Sequence, residues 1–319
     1  MFVTKTMRGL LAGITLSALA LGTPAMALEL LAPSNPGSGW DQTARALQGV
    51  LDSEKLASNV QVVNVGGGGG TIGLAQFVTT SGGRDDTMLL SGLAMVSGVL
   101  INQSAVTLDE VRPLARLIGE YEVIVVPASS PIKDIKELMD QFKADPRSVS
   151  WGAGSAGSAD HLLMGLIAQA AGVPAIDINY IGHSGGGEAL AAILGGHVTA
   201  GISGYQEFAS QIASGDLRAL AISAPEAVEG IDIPTFAANG YDIDFVNWRG
   251  LMAPADISEE GFTALSAMVD KAVASPAWAT VLADRGWLSL YQPADEFSEF
   301  LAANRAQTEE TLRAIGLVN

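Results

Sequence analysis

The chain has 319 residues, with 17 Lys and Arg against 34 Asp and Glu, a formal net charge of −17, and no cysteine. A field of that sign repels nucleic acid and anionic lipid headgroups. The missing cysteine excludes disulfides, thiol nucleophiles, a lipidated cysteine anchor and Cys-based zinc sites.

The N-terminus reads as a secretory leader. Lys5 and Arg8 supply a charged start, and Gly9 through Leu21 an apolar stretch too short for a comfortable membrane span. Thr23-Pro24-Ala25-Met26-Ala27 ends in an A-x-A site. Cleavage after Ala27 is predicted, which leaves 15 basic residues against 34 acidic ones and puts the mature chain in a bacterial periplasm.

From Leu28 onward, short apolar runs alternate with helical patterns. Leu28–Ala32 leads into a helix from Asp41 to Leu51, Val60–Val65 into Ile72–Val78, and Met88–Ser91 into Met95–Ile101. Later strand-type runs are Glu122–Val126, Val149–Gly152, Ile176–Tyr180, Val198–Ser203, Leu217–Ile222 and Val246–Ala253. Helical patterns cover Ile135–Phe142, His161–Ala171, Glu188–Leu194, Gln206–Ala213, Glu260–Ala274 and Asp295–Ile315. Such alternation predicts an α/β architecture, mixed but mainly parallel, with helices on both faces. Two apolar runs, Glu122–Pro127 and Phe245–Ala253, are candidate crossovers. They divide the mature chain into one lobe of 28–127 plus 248–319 and another of 128–247, the leader being 1–27. Two strands serving as a hinge would let the lobes close on a ligand.

Four glycine-rich turns stand where a strand gives way to a helix. They are Asn35-Pro36-Gly37-Ser38-Gly39-Trp40-Asp41, Gly66 through Gly70 with Thr71, Gly152 through Ser158, and Tyr180 through Glu188. Each leaves unpaired N–H groups at a helix start, where about half a positive charge collects. Several such ends facing one cleft bind an anion without a basic patch. In parallel sheets the cleft lies at the strands' carboxyl ends. The candidate ligand contacts are Ser38, Gly39, Trp40, Asp41, Gly68, Gly69, Thr71, Ser91, Ser155, Gly157, Ser158, His183, Ser184, Gly185 and Ser203. Asp41 serves equally as a helix-start residue that rigidifies its turn, and that reading is preferred, because a carboxylate beside an anion is unfavourable. Trp40 reads as core or as a ligand platform. Arg249 reads as a structural ion pair at the lobe junction in preference to a carboxylate clamp.

Other chemistries fit less well. Gly182-His183-Ser184-Gly185-Gly186 matches the G-x-S-x-G nucleophile elbow and raises a secreted serine esterase on Ser184 as the alternative. That fold needs an acid and a histidine from later loops, and His197 is the sole histidine downstream. Gly66–Gly70 has the place of a dinucleotide fingerprint, but Asp85 and Asp86 precede the next strand where an acid should follow it. His161, His183 and His197 have no metal-ligand spacing. An exported scaffold without a ligand leaves the glycines unexplained, since each loses entropy on folding. No metal, no cofactor and no catalysis is expected.

Six motifs in order resemble the receptors of tripartite tricarboxylate transporters, the TctC-like or Bug family. They are Pro36-Gly37-Ser38-Gly39-Trp40-Asp41 with Ala44-Arg45; Val63-Asn64 before Gly67–Gly70-Thr71-Ile72-Gly73; and Gly185-Gly186-Gly187-Glu188-Ala189 with Gly195-Gly196-His197-Val198. Gly204-Tyr205-Gln206-Glu207-Phe208, Gly215 through Ala221 and Asn247-Trp248-Arg249-Gly250 complete the set. Ser38 stands where the family commonly has glycine. The Trp40-bearing turn looks closer to citrate-type receptors than to the amino-acid-binding branch. The resemblance covers the mature chain. It implies a two-lobed, type II periplasmic binding protein that closes like a Venus flytrap. Backbone groups, hydroxyls and waters would hold a small di- or tricarboxylate for delivery, by a monomer, to a membrane permease.

Overall fold

The computed structural model describes residues 27–183 and 186–318. Its first unit is β1 (Ala27–Ala32), α1 (Gly39–Ser53), β2 (Ser58–Asn64), α2 (Thr71–Thr80), β3 (Thr87–Gly92) and α3 (Leu93–Ile101). The strands β2, β1 and β3 lie side by side and parallel, and β3 is buried along its whole length. One face of α1, with Ala44, Leu47, Val50 and Leu51, packs on this sheet in a core that includes Leu28, Leu30 and Met88. The 3.6-residue period of those positions is what makes α1 an amphipathic helix here.

The long strand β4 (Val111–Pro127) joins two sets of strands. Its Val111–Tyr121 half runs antiparallel to β9 (Val246–Pro254), which in turn borders β3. Its Glu122–Pro127 half runs antiparallel to β7 (Ala200–Gly204) and β8 (Leu217–Ile222). Beyond β7 lie β5 (Ser150–Ala153) and β6 (Asn179–Gly182), all three parallel. Their helices are α4 (Ile135–Ala144), α5 (Ala159–Ala171), α6 (Gly186–Leu194) and α7 (Tyr205–Ser214). A separate core around Phe142, Trp151, Leu163 and Phe236 holds this second set together. The expected mixed α/β architecture is present, with parallel pairing in the strand–helix–strand units and antiparallel pairing through β4 and β9.

The C-terminal part returns to the first set with α8 (Glu259–Val273), α9 (Pro276–Arg285), β10 (Leu288–Pro293) and α10 (Ala294–Ala314). The pair α9–β10 and the first half of β4 are elements that periodicity did not predict. In β4 the apolar run is broken by Arg112, Pro113, Arg116 and Glu120, so the strand shows neither alternation nor a continuous apolar stretch. A third core cluster joins Leu31, Val96, Trp248 and Leu312 to Ala159 and Leu162 of α5, so α10 and α5 touch across the two strand sets. Among the described residues no helix is long and apolar enough to cross a membrane.

Candidate functional site

Helix starts converge on a cavity of about 580 Å³ between the two strand sets. From the first set it takes Ser34, Ser38, Gly39, Trp40, the Gly66–Gly70 run and Asn102; from the second, Gly154, Ser155, Ser158, Asp160, Gly186, Ser203 and Glu207. Asn247 and Arg249 of β9 close it between them.

The Gly66–Gly70 wall exists because of its glycines. Gly67, Gly68, Gly69 and Gly70 all have positive φ, at 124°, 61°, 64° and 94°. Four positive-φ residues in a row are a conformation that side-chain-bearing residues avoid. A Cβ on Gly70 would lie 2.9 Å from the ring of Trp40, so the wall is held against that ring. Trp40 thus belongs to both readings: it lines the cavity and packs on two of the core clusters.

Of the predicted contacts, Ser38, Gly39, Trp40, Gly68, Gly69, Ser155, Ser158 and Ser203 line the cavity. Ser184 and Gly185 fall outside the described residues. Asp41, Thr71, Ser91, Gly157 and His183 lie off the cavity wall, each for a visible reason. Asp41 is buried and accepts the Gly37 N–H at 2.8 Å, the Asn64 amide at 2.9 Å and the Arg45 Nε at 3.0 Å. Burial pushes its pKa up, but the bonds from Arg45, Gly37 and Asn64 outweigh that and hold it below the usual carboxylate value. It is the tie that rigidifies the first turn. Thr71 turns its hydroxyl back to the Gly68 carbonyl at 2.9 Å, and Ser91 is wholly buried beside Met95. Gly157 faces the Ile101 side chain, and its N–H donates to His161 Nδ1 at 3.2 Å. His161 stacks on Tyr180, and burial pushes its pKa down to about 4, so the ring is neutral and Nδ1 is free to accept. The His183 N–H and ring both meet the Ala153 carbonyl.

The unpredicted feature is acidic. Asp160 and Glu207 line the cavity, and Glu120 and Glu122 of β4 stand behind them. Arg249 Nη2 lies 2.5 Å from Glu120 Oε2, with both side chains buried, and a Cβ on Gly39 would strike that guanidinium. Asn247 donates to Glu122 Oε1 at 3.0 Å, and Asp160 lies beside the same carboxyl group. Asp160 accepts the Gly154 N–H at 2.6 Å. Burial pushes Asp160 up to about 6, and burial with the charges of Glu120 and Asp160 pushes Glu207 up to about 7. Glu122, buried among the same acids, is held well above the usual range. Glu207 and Arg249 sit in two of the quoted motifs, but nothing local in either assigns them to a cavity. Among the described residues no group of His, Asp and Glu is arranged to hold a metal. The cavity is therefore an amide- and hydroxyl-lined pocket with a carboxylate floor.

A profile of the family described as tripartite tricarboxylate transporter family receptor matches residues 43–317. The chain belongs to this family. The receptor is 30% identical over 299 residues to Protein BugT of Bordetella pertussis, an alignment covering 91% of this chain and 90% of that one. Among solved structures it is similar to MatC from Rhodopseudomonas palustris with bound malate, at 22% identity and a TM-score of 0.79, covering 91% of this chain and all of that one. It is also similar to an R. palustris protein with adipate, at 20% identity and a TM-score of 0.83, covering 92% and 98%. Those two likenesses establish the fold. Family membership makes the receptor a solute-binding protein and not an enzyme, and the esterase reading of Ser184 finds no support.

Proposed function

We propose that the receptor captures a small organic di- or tricarboxylate in the periplasm and delivers it, as a monomer, to the permease subunits of a tripartite tricarboxylate transporter. The observation that carries this reading is the facing of the Gly66–Gly70 wall by Ser155, Ser158 and Ser203 across one cavity of about 580 Å³. That volume is in the range of small-ligand sites. Backbone N–H groups and hydroxyls suit carboxylate oxygens without a net cationic patch. The malate and adipate in the two similar structures are dicarboxylates, which supports the class. The leader 1–27, cleaved after Ala27, brings the chain to the periplasm. Residues 28–127 with 248–319 act as one lobe and 128–247 as the other, closing on the ligand.

A thermal-shift screen of malate, adipate, citrate and related carboxylates on refolded, ligand-free protein tests this. Ligand at about 100 times its Kd adds about 2.7 kcal/mol, a rise of roughly 5–10 °C in Tm. No shift and no calorimetric heat across the panel would overturn the reading.

A further inference from the structure

The cavity reads as an anion site, yet its floor is made of the protein's own carboxylates. Glu207 accepts the Ser203 hydroxyl at 3.1 Å. Its carboxylate lies so close over Gly186, the first residue of α6, that a Cβ there would overlap it. The helix start that the glycine-turn argument reserves for a ligand anion thus already has a carboxylate against it.

The groups around Glu207 are nearly all acids. Glu120 and Glu122 act on the cluster from β4 and Asp160 from α5, and α6 carries Glu188 in its first turn. Among the described residues the cation acting on it is Arg249 from β9, already paired with Glu120. Glu122 is fully buried beside Asp160. Four carboxylates around one guanidinium in a cleft do not all ionise, because like charges at short range in a poorly solvated site push one another toward the neutral form. A ligand carboxylate entering the same cavity adds one more negative charge.

We propose that Glu207 is a ligand-binding residue in its protonated form, donating its carboxylic O–H to a ligand carboxylate oxygen, so that capture of the anion near neutral pH takes up about one proton from solution. The proton moves from solvent to the Glu207 carboxylate, and no covalent bond to the ligand forms or breaks. The resting state agrees: burial and the neighbouring acids hold Glu207 near 7, so a modest further push from the ligand protonates it. This inference rests on the carboxylate reading above.

The test is calorimetry with malate, adipate and citrate at pH 7.5 in phosphate and in Tris, whose ionisation heats differ, together with affinities from pH 6 to 8.5. For a carboxylate that binds, the heats should differ between buffers by the equivalent of about one proton. Affinity should rise about tenfold from pH 8.5 to 7.5 and level off below pH 6.5. Glu207→Gln keeps the shape and supplies a fixed donor, so it should bind with little dependence on pH and take up no proton. Equal heats in both buffers with a flat pH profile would overturn the inference and leave the receptor function standing. Uptake that persists in Glu207→Gln but vanishes in Asp160→Asn would overturn the assignment to Glu207. No binding by any carboxylate would overturn both readings. The wild-type measurement needs no variant, so a misfolded substitution does not remove the test.

Discussion

The Arg249 guanidinium and the Glu120 carboxylate form a buried ion pair, 2.5 Å apart with side chains 5% and 3% exposed, where β9 passes β4 beside the cavity. Removing one member leaves the other charge buried without compensation, which costs about 3–5 kcal/mol. Arg249→Met is expected to lower the urea unfolding free energy by that amount. Glu120→Gln on the Arg249→Met background should recover part of it, because it removes the stranded charge. A loss below about 1 kcal/mol in Arg249→Met would show that the pair contributes little net stability.

The Gly66–Gly70 wall makes a separate prediction. Gly70→Ala places a Cβ at φ 94° and 2.9 Å from the Trp40 ring. Left-handed backbone costs a non-glycine residue about 1–2 kcal/mol, and the Trp40 ring, part of the cavity wall, has to shift. Ligand affinity should fall at least tenfold by calorimetry, with Tm lowered by a few degrees. Gly49→Ala, on α1 with open space around its Cβ position, is the control that should leave affinity unchanged and raise Tm slightly, since alanine is favoured over glycine in a helix interior.

How much of this was legible beforehand follows from distance along the chain. The strand-to-helix glycine turns are local features, and all four bring residues to the cavity wall, through Ser38, Gly69, Ser155 and Gly186. The tie made by Asp41 is equally local, since a carboxylate on the third residue of α1 accepts the N–H of Gly37 in the turn just before the helix. The acidic floor was not legible. Glu120, Asp160, Glu207 and Arg249 come from β4, α5, α7 and β9, and no periodicity relates positions that far apart. Arg249 was read as a junction ion pair, and it is one, but its place in the cavity wall depends on the β4–β9 register.

Two carboxylates set opposite pH windows for stability. Glu207 has a folded pKa raised from 4.5 to about 7, so its contribution is fully present below about pH 4.5 and is lost as pH rises to about 7. Asp41 has a folded pKa held below 3.8, so its contribution is present above that value and is lost as pH falls through the folded pKa. In ligand-free protein these two together favour a Tm maximum between about pH 4 and 4.5, with a decline toward pH 8. Glu207→Gln removes the cost of ionising the floor, on the order of 2 kcal/mol at about 1.4 kcal/mol per pKa unit with allowance for cavity water. It should raise Tm at pH 8 by about 4 °C and leave it unchanged at pH 4.5. A scan in which wild type and Glu207→Gln keep parallel profiles from pH 4.5 to 8 would rule this out.

The lips of the cleft carry the last prediction. Gly157, on the turn before α5, faces Ile101 at the end of α3, so residues of the two strand sets meet beside the cavity mouth. A Cβ on Gly157 would strike the Ile101 side chain, and the next residue, Asn102, lines the cavity. A ligand held by both walls favours the state in which they meet, and it shifts the population toward that state by its differential affinity. Small-angle scattering on wild type should therefore show a smaller radius of gyration with saturating ligand. Ile101→Asp puts a charge into the apolar lip contact without touching the wall. It should enlarge the ligand-free particle, weaken affinity roughly tenfold and act mainly by raising the off-rate, since a lip that fails to seat does not retain its ligand. Ile101→Ala, which shortens the contact without repelling it, should fall between the two. Identical scattering curves with and without ligand, combined with unchanged off-rates in Ile101→Asp, would mean that the two strand sets do not move relative to each other on binding.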